Sequence, residues 1–132
     1  MEFKKRGSLY RPQNITNVTC NSKISKPIYQ YNQKYYVDLE LVPDTVRRVN
    51  ELHANSEQFL LSEHKVIPLN DNKLKVKVPF RYNKVTCKMP GKKTVHELKQ
   101  GDRVNVNLEY CGVWTVGSYC GVSWKLSLIQ EV

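Results

Sequence analysis

The sequence predicts a mainly-β domain, a small barrel of five to six strands with one α-helix. Three observations lead there. Apolar and polar residues alternate strictly over 35–42, 73–80, 102–111 and 122–132, the period of strands with one buried face. Only 45–61 switches to helical period. The punctuation between these segments is Pro, Gly and Asn, as in turns. The 132 residues suffice for one core and one domain over 1–132.

Taken in order, residues 1–34 are polar and rich in Asn and Ser. They read as an irregular or short-stranded lead-in, with 1–25 a flexible basic arm containing Lys4-Lys5-Arg6. Residues 35–42 are the first clear strand, with Val37, Leu39 and Leu41 on one face. Asp44 is the expected N-cap of the helix, on which Val46, Val49, Leu52, Phe59 and Leu60 recur at three- and four-residue steps. Asn70-Asp-Asn72 turns into a strand whose inner face is Leu74, Val76, Val78 and Phe80 and whose outer face is Lys73, Lys75 and Lys77. Pro79 ends it or places it at an edge. A short strand over 84–88, a basic turn at Pro90-Gly91 and one helical turn before Gly101 follow. Val104, Val106, Leu108 and Tyr110 share a face, as do Val122, Trp124, Leu126 and Leu128. This inventory is that of an OB-fold-like barrel, which removes exposed strand edges by near-closure.

The formal charge is +9, and it is unevenly placed. Residues 73–100 hold nine basic residues and one acidic residue, whereas the rest of the chain holds 12 and 11. A solvated surface mixes its signs. This asymmetry points to a polyanion, nucleic acid first.

Cys20, Cys87, Cys111 and Cys120 form no Cys-x-x-Cys pair and have no His at ligand spacing, so no metal is expected. Met-Glu-Phe-Lys-Lys-Arg has no apolar stretch behind it, so no secretory signal, an intracellular location and free thiols are expected. The acceptor patterns at Asn14 and Asn17 are then chance matches. No run is long enough for a membrane span.

Single-stranded nucleic acid needs a positive groove for its backbone and aromatic faces for its bases. The expected phosphate contacts are Lys73, Lys75, Lys77, Arg81, Lys84, Lys88, Lys92 and Lys93. The expected stacking platforms are Trp114 in a glycine-bounded hairpin, Tyr119, Tyr82 and Tyr31, with Tyr29 beside it. Trp114 has an alternative role as a cap on the barrel end. Trp124 lies inside an alternating strand and reads as core.

The chain's end adds a resemblance. Gly121-Val-Ser-Trp-Lys-Leu-Ser-Leu128, preceded by Gly101-Asp-Arg-Val-Asn-Val106 and a Trp-bearing hairpin, resembles the replicative single-stranded DNA-binding proteins of short-tailed coliphages. The strand–Pro–helix order at 36–61 and the Asn-Asp-Asn turn into a lysine strand fall in the same sequence, so the likeness spans about 26–132. It implies an OB-fold coating single strands in viral DNA replication or recombination, with hairpin aromatic and basic residues on DNA. It also implies replication proteins as partners, in the host cytoplasm or wherever viral DNA replicates. Those proteins carry an acidic C-terminal tail that recruits replication partners; this sequence departs from them there, with Ile129-Gln-Glu-Val132 in its place. Asn105 and Asn107 stand where the family's lysines do.

The expected function is therefore non-catalytic binding of single-stranded DNA, without a cofactor. RNA as a ligand and the oligomeric state are left open. Two alternatives stand beside it. One is a basic module for an acidic protein partner. The other is a metal-dependent nuclease, from Pro43-Asp44 and Glu63-His-Lys65, which needs Asp and Glu on adjacent strands.

Overall fold

The computed structural model describes residues 1–132. Its core is a ring of five strands: β3 (Asn17–Tyr31), β4 (Lys34–Leu41), β7 (Lys73–Val78), β11 (Tyr119–Glu131) and β10 (Arg103–Val116). Each pairs with the next, and β10 returns to β3. All contacts are antiparallel except β7–β11, which is parallel. This is an OB-like barrel with a single α-helix.

The lead-in begins with short strands, within the expectation, but ends in a long strand that the sequence did not suggest. β1 (Phe3–Arg6) and β2 (Leu9–Pro12) form a hairpin, and β3 is the longest strand of all. Its inward residues, Val18, Ser22 and Ile24, are buried, but they are thinly spread among Asn, Thr and Lys. Pro27 and two register shifts further break the alternation. The hairpin docks on β10 where Gly112 has φ +93°, and a Cβ there would strike the Tyr10 carbonyl oxygen.

α1 (Pro43–Ser56) lies between β4 and β7 and is followed by a 3-10 turn, Glu57–Phe59. The N-cap position is Val42, without a side-chain cap. Asp44 is therefore not the cap; it sits in the first turn, where its charge suits the helix dipole, and pairs with Arg47 at 3.3 Å. Pro43 fills N1, where no hydrogen bond is lost. The helix buries Val49, Leu52, His53 and Ser56.

β5 (His64–Val66) pairs in parallel with the start of β11, and β6 (Leu69–Asn70) pairs with β7. Glu63-His-Lys65 thus runs into a paired strand, which the sequence did not suggest. β8 (Phe80–Arg81) and β9 (Lys84–Val85) make a small hairpin, so the short strand expected over 84–88 is present only as Lys84–Val85. Thr94 and Glu97 form a capping box on the 3-10 turn Val95–Glu97, which satisfies two orphan backbone donors.

Twenty-four buried apolar residues form one core. Trp124 is 1% exposed, as its strand pattern predicted. Leu128 leaves the inner face: a register shift at Asn107/Leu108 turns Ile129 inward instead. At one end of the core, Trp124 Nε1–H donates to His53 Nε2 at 2.9 Å. His53 must be neutral to accept, and burial lowers its pKa to about 4.

This pair makes stability depend on pH. An unfolded histidine titrates near 6.5. Below that value the unfolded chain takes up a proton that the native site refuses. The native state therefore keeps its full stability above about pH 6.5 and loses up to about 3 kcal/mol by about pH 4. His53→Gln retains an acceptor and removes the titration. Thermal melts at pH 7 and pH 4.5 should show a smaller acid-induced drop in Tm for that variant than for the wild type.

Candidate nucleic-acid interface

In an OB-fold, oligonucleotides use the face of the second and third ring strands and the loops joining strands one to two and four to five. Here those are β4, β7, the turn Asn32–Gln33 and the turn Gly117–Ser118. Asn32 and Gln33 both have positive φ, as a tight primed turn requires.

Residues paired across a sheet share a face, so the registers give the surface directly. One row crosses the barrel as Tyr29, Tyr36, Lys77, Lys125 and Glu109. Beside it run Lys26, Asp38 and Lys75, then Lys23, Glu40 and Lys73. Tyr31 pairs with Lys34 on the other side.

Cations and rings interleave in these rows. Tyr29 and Tyr36 lie 6.0 Å apart, centroid to centroid. Lys75 Nζ stands 4.5 Å from the Tyr31 ring and 4.8 Å from the Tyr36 ring, and Lys26 Nζ is 4.2 Å from Tyr29. Tyr29 Oη donates to Asp38 Oδ1 at 2.6 Å. Burial, then that hydrogen bond and charge, raise the Tyr29 pKa; burial, then Tyr31, raise that of Tyr36. Both rings stay neutral at physiological pH. Lys77 moves the other way: burial lowers its pKa, with Lys34 and Lys125 adding repulsion.

An open groove of about 470 Å³ adjoins Lys77. Lys34, Tyr35, Phe80 and Tyr82 help to line it. Phe80 stacks on Tyr35 at 4.5 Å. Tyr82 is 88% exposed at the tip of the β8–β9 hairpin, between Arg81 and Lys84.

The basic stretch therefore does not make one groove. Lys73, Lys75 and Lys77 are on the barrel face. Arg81, Tyr82 and Lys84 belong to the tip beside it. Lys88 bridges to Leu128 beyond Lys125, and the chain continues past the end of β11, where Gly91 lies against Gln130. Lys92 is exposed there, and Lys93 is held by Glu131 at 3.0 Å, so its charge is already matched.

Trp114 lies within β10 rather than in the turn. Its row is Val66, Gly121, Trp114 and Leu9, and it is apolar. Tyr119 rests on His64, with ring centroids 4.8 Å apart, and is 51% exposed. Both residues sit at the opposite end of the barrel face from Tyr31. Sequence reasoning missed Tyr36, Lys34, Lys26 and Lys125 as site residues. Lys125 was accessible from alternation, since Trp124 and Leu126 point inward on either side of it.

Asp44 and Glu63 do not face each other from adjacent strands: Asp44 is on the exposed first turn of α1, and Glu63 precedes β5. No protein-family model matches the chain, and neither a curated protein nor a solved structure is significantly similar to it.

The Trp114 row yields a test of its own. A Cβ on Gly121 would lie 2.5 Å from the Val66 carbonyl oxygen and 2.6 Å from Trp114 Cζ2. Overpacking of this kind costs about 1–3 kcal/mol. Gly121→Ala should lower Tm and, by lifting the indole into water, shift tryptophan emission to the red. Unchanged melting and emission would show that the ring is not seated on Gly121.

Proposed function

We propose that this protein binds single-stranded DNA non-catalytically, with the β4–β7 face as its principal track. The observation that carries the reading is the row Tyr29–Tyr36–Lys77–Lys125, flanked by Tyr31 and Lys75. It sets aromatic faces beside Lys75 and Lys77, which have no carboxylate within 4 Å, while Lys125 at the row's end is shared with Glu109 at 3.6 Å; rings beside free ammonium groups are the combination that a base-and-phosphate chain needs. The basic pI of about 9.4 and the resemblance to coliphage replicative binders support the same reading, with a role in viral replication or recombination.

Magnitudes favour an exchange on binding. An exposed ammonium over a ring is worth about 0.5–1 kcal/mol, whereas a base stacked on it is worth about 1–3 kcal/mol. A base therefore displaces Lys75 from Tyr36 and Tyr31, and the freed ammonium meets the phosphate beside it. Lys77, crowded by Lys34 and Lys125, gains from an anion in the same step. Trp114 and Tyr119 extend the face at its far end, and Arg81, Tyr82 and Lys84 flank its near end.

Titration of labelled single-stranded DNA, single-stranded RNA and duplex DNA against salt tests this. Four to six phosphate contacts give a log–log slope of about −3 to −4. Tyr36→Ala should weaken binding by about 1–3 kcal/mol with little change in slope. Lys75→Ala should make the slope shallower by about 0.7. A slope near zero for the wild type, or magnesium-dependent cleavage of any substrate, would sink the reading.

A further inference from the structure

We infer that the β1–β2 hairpin carries a second phosphate-binding face, which lengthens the single-strand track beyond the barrel. This rests on the single-strand reading of the β4–β7 face.

The hairpin is two-sided. Its register pairs Phe3 with Pro12 and Lys5 with Tyr10 on one face, and Lys4 with Arg11 and Arg6 with Leu9 on the other. The first face is an anchor. Tyr10 stacks on Phe59 at 4.4 Å, and Phe3 meets the same ring edge-on at 4.8 Å. Backbone bonds fix the hairpin further: Thr115 N–H donates to the Ser8 carbonyl at 3.0 Å, and Gln13 N–H donates to that of Glu2 at 2.8 Å. The close approach at Gly112 admits no side chain. Lys4 and Arg6 are thus mounted on a fixed element rather than a loose arm.

The second face is cationic. Lys4, Arg6 and Arg11 line an open groove of about 280 Å³, and Glu109 is its one acidic residue. Arg11 reaches Glu109 Oε2 at 3.6 Å, and Lys125 reaches Glu109 Oε1 at 3.6 Å. One carboxylate therefore joins the last cation of the barrel row to the first cation of the hairpin. Two opposite charges on one acid leave Lys4 and Arg6 without an acidic partner within 4 Å.

The two faces line up. From Tyr29 the row crosses β4, β7 and β11 to Glu109 on β10; β2 pairs with β10 farther along, at Val113 and Trp114, and Arg11 reaches back to the row through its 3.6 Å ion pair with Glu109. The four inter-strand steps from Tyr29 to Glu109, at about 4.8 Å each, span about 19 Å along the curved surface. Beyond Arg11, Lys4 and Arg6 continue it by one further strand. A phosphodiester chain leaving Lys125 reaches Arg11 by taking the place of the Glu109 carboxylate that the two cations share.

The test compares oligothymidylates of about 5 and about 15 nucleotides, within the usual range for one such barrel, by fluorescence anisotropy across a salt series. The wild-type slope should steepen with length. The Lys4→Gln/Arg6→Gln variant alters only exposed side chains with no ion pair. It should shallow the 15-mer slope by about 1.4, and adding Arg11→Gln should bring this to about 2. The 5-mer slope of the double variant should stay at the wild-type value. If both variants bind the 15-mer with the wild-type slope while Lys75→Ala still shallows it, the hairpin face is wrong and the barrel face stands; that result would suit a hairpin reserved for an acidic protein. A wild type that binds neither oligonucleotide overturns both.

Discussion

Closure of the ring through β3 determines what the outer surface can be. Residues 17–23 of this strand pair with β10, and 22–31 pair with β4. The ring closes through the overlap at Ser22 and Lys23, so the inward residues of the other four strands are held by neighbours on both sides. Val37, Leu39, Leu74, Val76, Val106, Leu108 and Leu126 are all completely buried. A slip of one residue in β7 would exchange Leu74, Val76 and Val78 for three lysines. Placing ammonium groups in the core is far more costly than any gain available on the surface. The apolar pattern therefore locks the register, and the register aligns the tyrosines and lysines of separate strands into rows.

The rows are not a uniform positive field. Asp38 and Glu40 each stand between two lysines in register, and Asp38 is occupied by the Tyr29 hydroxyl. Glu109 serves Lys125 and Arg11. Exposed pairs of this kind add little to stability; their larger effect is to position long side chains. Lys77 has no carboxylate partner, and burial together with Lys34 and Lys125 works against its charge. The strongest unmet demand for an anion falls at the centre of the row, next to the tyrosines.

Parts of this were legible and parts were not, for separable reasons. The alternation in Lys73–Val78 gave both faces of β7 because every second residue is strongly apolar. The helix was visible from its period, although its cap was misassigned: Pro43 at N1 replaces the side-chain cap that Asp44 suggested. β3 was hidden because its inward positions include Ser22 and the partly buried Cys20, so burial there follows from neighbours rather than from hydrophobicity. Leu128 was misplaced because a bulge is invisible without its partner strand. The site suffered most from the same limit. Lys77 and Lys125 are far apart in sequence and adjacent in space, while Lys77 and Lys93 are close in sequence and part company at Pro79. Charge density along the chain measured composition, and the cross-strand register determined which charges meet.

The long reach of β3 also has a kinetic side. Asn17 and Glu109 are register partners, so one edge of β3 stays unpaired until the last quarter of the chain has been made. Pairing between such distant segments is slow, because loop closure precedes the contacts that reward it. A β3–β4 hairpin formed before β10 would present an open edge, the kind of template on which nascent chains aggregate. The strand's composition suits that wait. Lys23 and Lys26 punctuate it and Pro27 lacks an amide hydrogen, features that discourage intermolecular strand pairing. The weak apolar character that concealed β3 from sequence reading is the same property that would disfavour intermolecular pairing of such an edge.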